Sequence, residues 1–183
     1  MAYRNATYIA FDGLGETDPS QSDYKYYTAI QGWDASRNIE FKFANSHERT
    51  AAVRDTSSRE TLKSRIRERL ALSKNCVVIL SDQTRKIGSM LSYEVAQAVD
   101  QFGLPLICAY AGAGAILDPT SLSHRWPHAL AERINDGSAR AIHIPFKRAA
   151  IYDAIGQFTV HSSTLTGPLH YYTREAHLNL GLL

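Results

Sequence analysis

The chain predicts an α/β fold, a mostly parallel five-stranded sheet with helices on both faces. Three observations carry this. Strand-like apolar runs alternate with helix-period segments about five times, and the connections are too long for hairpins. The third run, Cys76-Val77-Val78-Ile79-Leu80, is uninterruptedly apolar, which suits a strand covered on both faces. Small polar residues follow the strands, where open α/β sheets hold ligands: Asp12; Asn45 and Ser46; Ser81, Asp82 and Thr84.

Residues 6–11 (ATYIAF) read as the first strand, followed by turn formers over 12–20. The Gly13-Leu14-Gly15 there lacks the third glycine of a dinucleotide fingerprint. Residues 23–33 predict a helix with Tyr24, Tyr27, Ile30 and Trp33 on one face. Residues 39–43 alternate apolar and polar, the pattern of a strand near an edge. Residues 49–56 have no clean period and read as loop. Ser57 and Glu60 have capping-box spacing and open a helix with Leu62, Ile66 and Leu70 inward and Lys63, Arg65, Arg67 and Arg69 outward.

After the central strand, Ser89 is placed to cap a helix whose inward stripe is Leu91, Val95, Ala98, Val99 and Phe102. Glu94 falls at the edge of that stripe, between buried and exposed. Residues 104–110 predict a strand and 111–115 a loop. Residues 127–135 predict a helix opened by Pro127, 139–144 a last strand and 147–158 a last helix. The segment from 160 to 183 is too apolar for an inert tail, with Tyr171, Tyr172, Leu178, Leu180, Leu182 and Leu183. Residues 1–160 are expected to form one domain, and 161–183 an extension packing on it or on a second copy.

A chain of 183 residues is long enough for one substantial core. A formal charge of +2 is too small to make nucleic acid or an anionic membrane the main partner. Cys76 and Cys108 lie in apolar runs and are expected to be buried free thiols in a reduced compartment. No basic region followed by an apolar one opens the chain, and no apolar run approaches a membrane span, so a cytoplasmic location is expected.

The histidines form no HExxH and adjoin no CxxC, so no metal is expected. No GxSxG elbow and no P-loop occur. What remains is the polar ring at the strand ends, with Glu94 on the helix beyond. One carboxylate there can stabilise a cationic transition state, such as the oxocarbenium-like carbon formed when a glycosidic bond breaks. Nicotinamide leaves neutral from a charged ring, so that cleavage needs no strong general acid. From spacing alone, a surface or capping role for Glu94 stays open beside this.

Several stretches resemble the TIR-like proteins of the Thoeris anti-phage defence type: ATYIAFD, YKYYTAIQGW, FKFANSHE, DTSSRETLKSRIRERLALSKNCVVILSDQT and SMLSYEVAQAVDQFGLPLICAY. The resemblance covers residues 3–110 well and the rest loosely. It implies a flavodoxin-like, three-layer TIR fold and cleavage of NAD at the nicotinamide–ribose bond. NAD is then substrate, and no cofactor is implied. The ADP-ribosyl product becomes a cyclic or conjugated messenger that activates a partner effector. A homo-oligomer is compatible with this. The family's aromatic–Glu–hydrophobic pattern is Tyr93-Glu94-Val95 here, which gives Glu94 the catalytic role. The family often has a Trp shortly before this Glu; here the stretch is Ser89-Met90-Leu91-Ser92. Phe11, Asp12, Ser46, Asp82, Thr84 and Ser89 are expected to line the substrate pocket. A non-catalytic TIR-like adaptor, acting through self-association, is the alternative. A flavin-binding or receiver-like domain is the poorer third, since Asp12 has no adjacent acid.

Overall fold

The computed structural model describes residues 3–14, 22–35, 43–44, 56–162 and 164–183. Four central strands form where apolar, β-branched runs occur: β1 (Ala6–Ala10), β3 (Ser73–Leu80), β4 (Leu106–Tyr110) and β5 (Ala141–Pro145). All are buried along their length apart from a half-buried Lys74, as strands covered on both faces must be. Two short strands flank them, β2 (Phe43–Ala44) and β6 (His170–Tyr171). The sheet order is β2-β1-β3-β4-β5-β6, and every pair is parallel. The expected five strands are therefore present, β2 at an edge as its alternation predicts, and the tail adds a sixth at the other edge. Residues 39–42 of the predicted second strand lie outside the described residues.

Alternating side chains divide the core into two halves. Tyr8, Ala10, Cys76, Val78, Leu80, Cys108 and Tyr110 face α2 (Thr56–Ala71), α3 (Met90–Ala96) and α4 (His128–Asn135). Ile9, Phe11, Val77, Ile79, Ile107 and Ile144 face α1 (Tyr24–Ala35), α5 (Arg148–Gln157) and the tail. This is the three-layer sandwich of a flavodoxin-like fold. Truncating a fully buried member such as Leu91 to Ala would cost about 2–5 kcal/mol.

Helix boundaries move by a residue or two from the sequence reading. Helix α2 begins at Thr56, so Ser57 sits within its first turn and not at the cap position. Helix α3 starts after Ser89, whose side chain makes no capping bond, and widens into a π-turn over Gln97–Gln101. Gly103, at φ 58, ends that run in a left-handed conformation that costs glycine little.

One buried polar residue locks β1, β3 and α5 together. Asn75 accepts from the Thr7 hydroxyl at 2.8 Å and donates to the Ile155 and Phe158 carbonyls at 3.0 and 2.9 Å. Its amide thus satisfies carbonyls that the end of α5 would otherwise leave unpaired. The tail packs on the domain. Leu165 and Tyr172 enter the α1/α5 side of the core, and α6 (Arg174–Asn179) follows β6.

Candidate functional site

The chain runs from β1 outward to β2 and then back past β1 to β3, so the order reverses between β1 and β3. Beyond the carboxyl ends of those two strands is the crevice where α/β sheets of this kind bind ligands. Three buried or half-buried groups from different parts of the chain meet there.

Asp12, just past β1, is buried. Its Oδ1 accepts from the Leu14 amide at 2.9 Å and from Arg85 Nη2 at 2.7 Å. Its Oδ2 accepts from the Arg85 amide at 2.9 Å and from Arg85 Nε at 3.1 Å. The turn that this forces puts Leu14 at φ 54, a conformation uncommon outside glycine. Asp23, one residue before α1, is also buried, and its amide points at the Asp12 carbonyl. The Ser81 hydroxyl donates to its Oδ2 at 3.0 Å. Burial pushes the Asp23 carboxyl up to about 6, with the Asp12 charge adding to the rise and Ser81 and Thr84 opposing it.

Residues 81–84 close into a small turn. The Ser81 amide donates to the Thr84 hydroxyl at 2.9 Å, and the Thr84 amide to the Ser81 carbonyl at 3.3 Å. Thr84 is therefore engaged in shaping the loop. Asp82 points away from the crevice, 75% exposed, and pairs with Arg125 at the end of the 3₁₀ helix Pro119–Arg125. That helix and the loop after β4 wall a cavity of about 410 Å³. A larger one, about 660 Å³ beside Asp100 and Arg133, lies before the starts of β4 and β5, at the opposite end of the sheet.

Glu94 was expected at a boundary; it is 0% exposed, inside the core between α3 and β1. The Tyr8 hydroxyl donates to its Oε1 at 2.7 Å. The reason is geometric. Leu91 and Val95 on either side of it are both buried, and Glu94 follows Leu91 by three residues on the same helix face. A surface or capping role is thereby removed. Next to it, Tyr93 accepts from Arg67 at 2.7 Å and lies under Lys63. Burial and the Glu94 charge push the Cys76 thiol well up, so it is no nucleophile. Cys76 and Cys108 are both free and buried.

The expected pocket residues separate. Asp12 and Thr84 meet at the crevice. Phe11 points to the opposite face from Glu94, stacked on Tyr27 with ring centroids 5.5 Å apart. Ser89 stands at the start of α3, half-buried. Ser46 lies outside the described residues. Tyr8, Asp23 and Arg85 were not foreseen. Among the described residues no cluster of three or more His, Cys, Asp or Glu is arranged to hold a metal ion, and no helix is long and apolar enough to cross a membrane.

A six-stranded parallel sheet with a polar crevice at its reversal and a buried acid on the helix after β3 defines a TIR-like α/β domain. A family model described as "Thoeris protein ThsB, TIR-like domain" matches residues 8–114, more than half of the chain. The chain belongs to that family, which associates it with Thoeris anti-phage defence signalling. The matched span contains Tyr8, Asp12, Asp23, Arg85 and Glu94, and ends before the 3₁₀ helix and the tail.

Proposed function

We propose that the protein cleaves NAD at the nicotinamide–ribose bond and turns the ADP-ribosyl group into a cyclic or conjugated messenger for a partner effector of the defence system. The observation that carries this is Glu94: a fully buried carboxylate on the helix after β3, within the family-matched span, oriented by the Tyr8 hydroxyl at 2.7 Å. In a dry site a fixed negative charge acts on a developing cation far more strongly than in water.

As the C1′–N bond breaks, its electron pair neutralises the pyridinium nitrogen and nicotinamide leaves uncharged. Glu94 stabilises the positive ribosyl carbon. An acceptor hydroxyl or ring nitrogen then bonds to C1′; a hydroxyl releases its proton to solvent. The acid need not give or take a proton at the leaving group. Tyr8 holds the carboxylate and keeps it from turning away. Because Glu94 is closed off from solvent, turnover requires the site to open around it.

The experiment is chromatography of NAD incubated with the purified protein, dilute and concentrated, and in extracts of phage-infected cells. Nicotinamide release is expected, and the mass of the second product names the acceptor: water, the nucleotide itself, or another molecule. Silence in every arm, with concentration-dependent assembly, would replace this reading with the adaptor.

A further inference from the structure

We infer that Arg85 is a diphosphate-binding residue at the mouth of the crevice, and that Asp12 is its positioning residue and not a substrate contact. The inference rests on the reading of the substrate as a dinucleotide.

Asp12 has no capacity left for a ligand. Each of its oxygens already accepts at least two hydrogen bonds, from Arg85 and from the Leu14 amide on one, and from the Arg85 amide and Nε on the other. A carboxylate offers about four acceptor sites in all. Arg85 is the opposite case. A guanidinium carries five N–H groups in a rigid fork. Asp12 takes Nε–H and one from Nη2. The rest of the fork has no acceptor among the described residues.

The side chain is 38% exposed while its partner carboxylate is 0% exposed. The fork is therefore held from beneath and open outward. Its position is the carboxyl end of β3 beside the end of β1, at the reversal of strand order. The positive end of α1 arrives at the same corner, where the Asp23 amide meets the Asp12 carbonyl. A planar cation with paired donors, fixed at that place, matches two phosphate oxygens at once. Tyr8, which holds Glu94, is on β1, and Asp12, which holds Arg85, comes two residues after the end of that strand. Strand β1 and the residues just past it thus carry the supports for both the acid and the diphosphate fork.

The test is calorimetric titration of the full chain with ADP-ribose, with inorganic pyrophosphate and with adenosine, for wild type, Arg85→Gln, Arg85→Lys and Asp12→Asn. Thermal unfolding of each variant checks that it is folded. Wild type is expected to bind ADP-ribose and pyrophosphate. Arg85→Gln should weaken both at least 10-fold and leave any adenosine binding unchanged. Arg85→Lys, with charge but no fork, should lose about 3-fold to 10-fold, and Asp12→Asn a similar amount with the cation still present. A folded Arg85→Gln that binds ADP-ribose as wild type does would overturn the inference, as would wild type binding neither phosphate probe. Nicotinamide release alongside Arg85-independent binding would sink this site and leave NAD cleavage standing. Arg85-dependent binding without NAD cleavage would do the reverse.

Discussion

Asp23 in the crevice and His143 beneath the tail are both buried and both titratable, yet they are built for opposite ends. Asp23 sits among charges: Asp12 and Lys25 both act on it, and its carboxyl is pushed up to about 6, chiefly by burial. His143 sits among neutral groups. Pro168 can only accept, so His143 donates through Nε2 at 2.8 Å; Trp126 can only donate, so Tyr110 takes that bond at 2.6 Å and gives its own hydrogen to His143 Nδ1 at 2.7 Å. Burial lowers His143 to about 4. His177 repeats the pattern, donating to the Thr173 carbonyl at 2.9 Å and accepting from the Ile116 amide at 3.3 Å. The crevice leaves charge turned toward solvent, as a site for a charged ligand must. Around His143 and His177 the tail closes neutral groups on one another, as a fastening must.

The largest expected effect is therefore structural. His143→Ala would open a cavity and strand the Tyr110 hydroxyl and the Pro168 carbonyl. It should cost about 3–5 kcal/mol in urea unfolding. Tail residues 160–183 should then become sensitive to proteolysis while β1 and β3 keep their hydrogen-exchange protection.

The next effect is the pH profile, where the two regions oppose each other. The unfolded chain protonates His143 near 6.5 and the folded protein only near 4. The stability it contributes is complete above about 6.5 and is lost as pH falls through about 4, on the order of 3 kcal/mol. Asp23 has the other sign. Its contribution is complete below about 3.9 and is lost as pH rises through about 6. Urea titrations across that window should show His143→Gln flattening the acid-side fall, and Asp23→Asn steepening it. Identical profiles for wild type and His143→Gln would break the comparison.

Smaller effects sharpen it. Tyr8→Phe removes one hydrogen bond to a buried carboxylate and should cost about 2 kcal/mol in stability, together with a loss of turnover. Asp23→Asn keeps an oxygen for Ser81 but removes the buried charge. It should raise stability at pH 7 by on the order of 1–2 kcal/mol, measured by the same unfolding curves.

The sheet was legible because each central strand announces itself locally, in runs such as Cys76–Leu80 that need no partner to be recognised. The site was legible only in part. Glu94 was found through a local pattern, but its hydrogen-bond partner is Tyr8, 86 residues earlier. The Asp12–Arg85 pair spans 73 residues and the Ser81–Asp23 bond 58. No periodicity records such pairings, so the sequence showed Asp12 without its Arg85 partner and left Arg85 as an unremarked loop residue. The tail was opaque for a related reason. Strand β6 is two residues long, too short for any alternation to register, and what holds the tail there includes a histidine on β5.

The most direct test of the account is the rate of nicotinamide release from NAD by wild type and by Glu94→Gln, with matched urea midpoints showing both folded. Glutamine keeps the size and an acceptor for Tyr8 while removing the charge. A rate lower by at least about 100-fold in the folded variant is the expected result. Equal release by the two proteins would contradict the central claim, and another group would have to carry the chemistry.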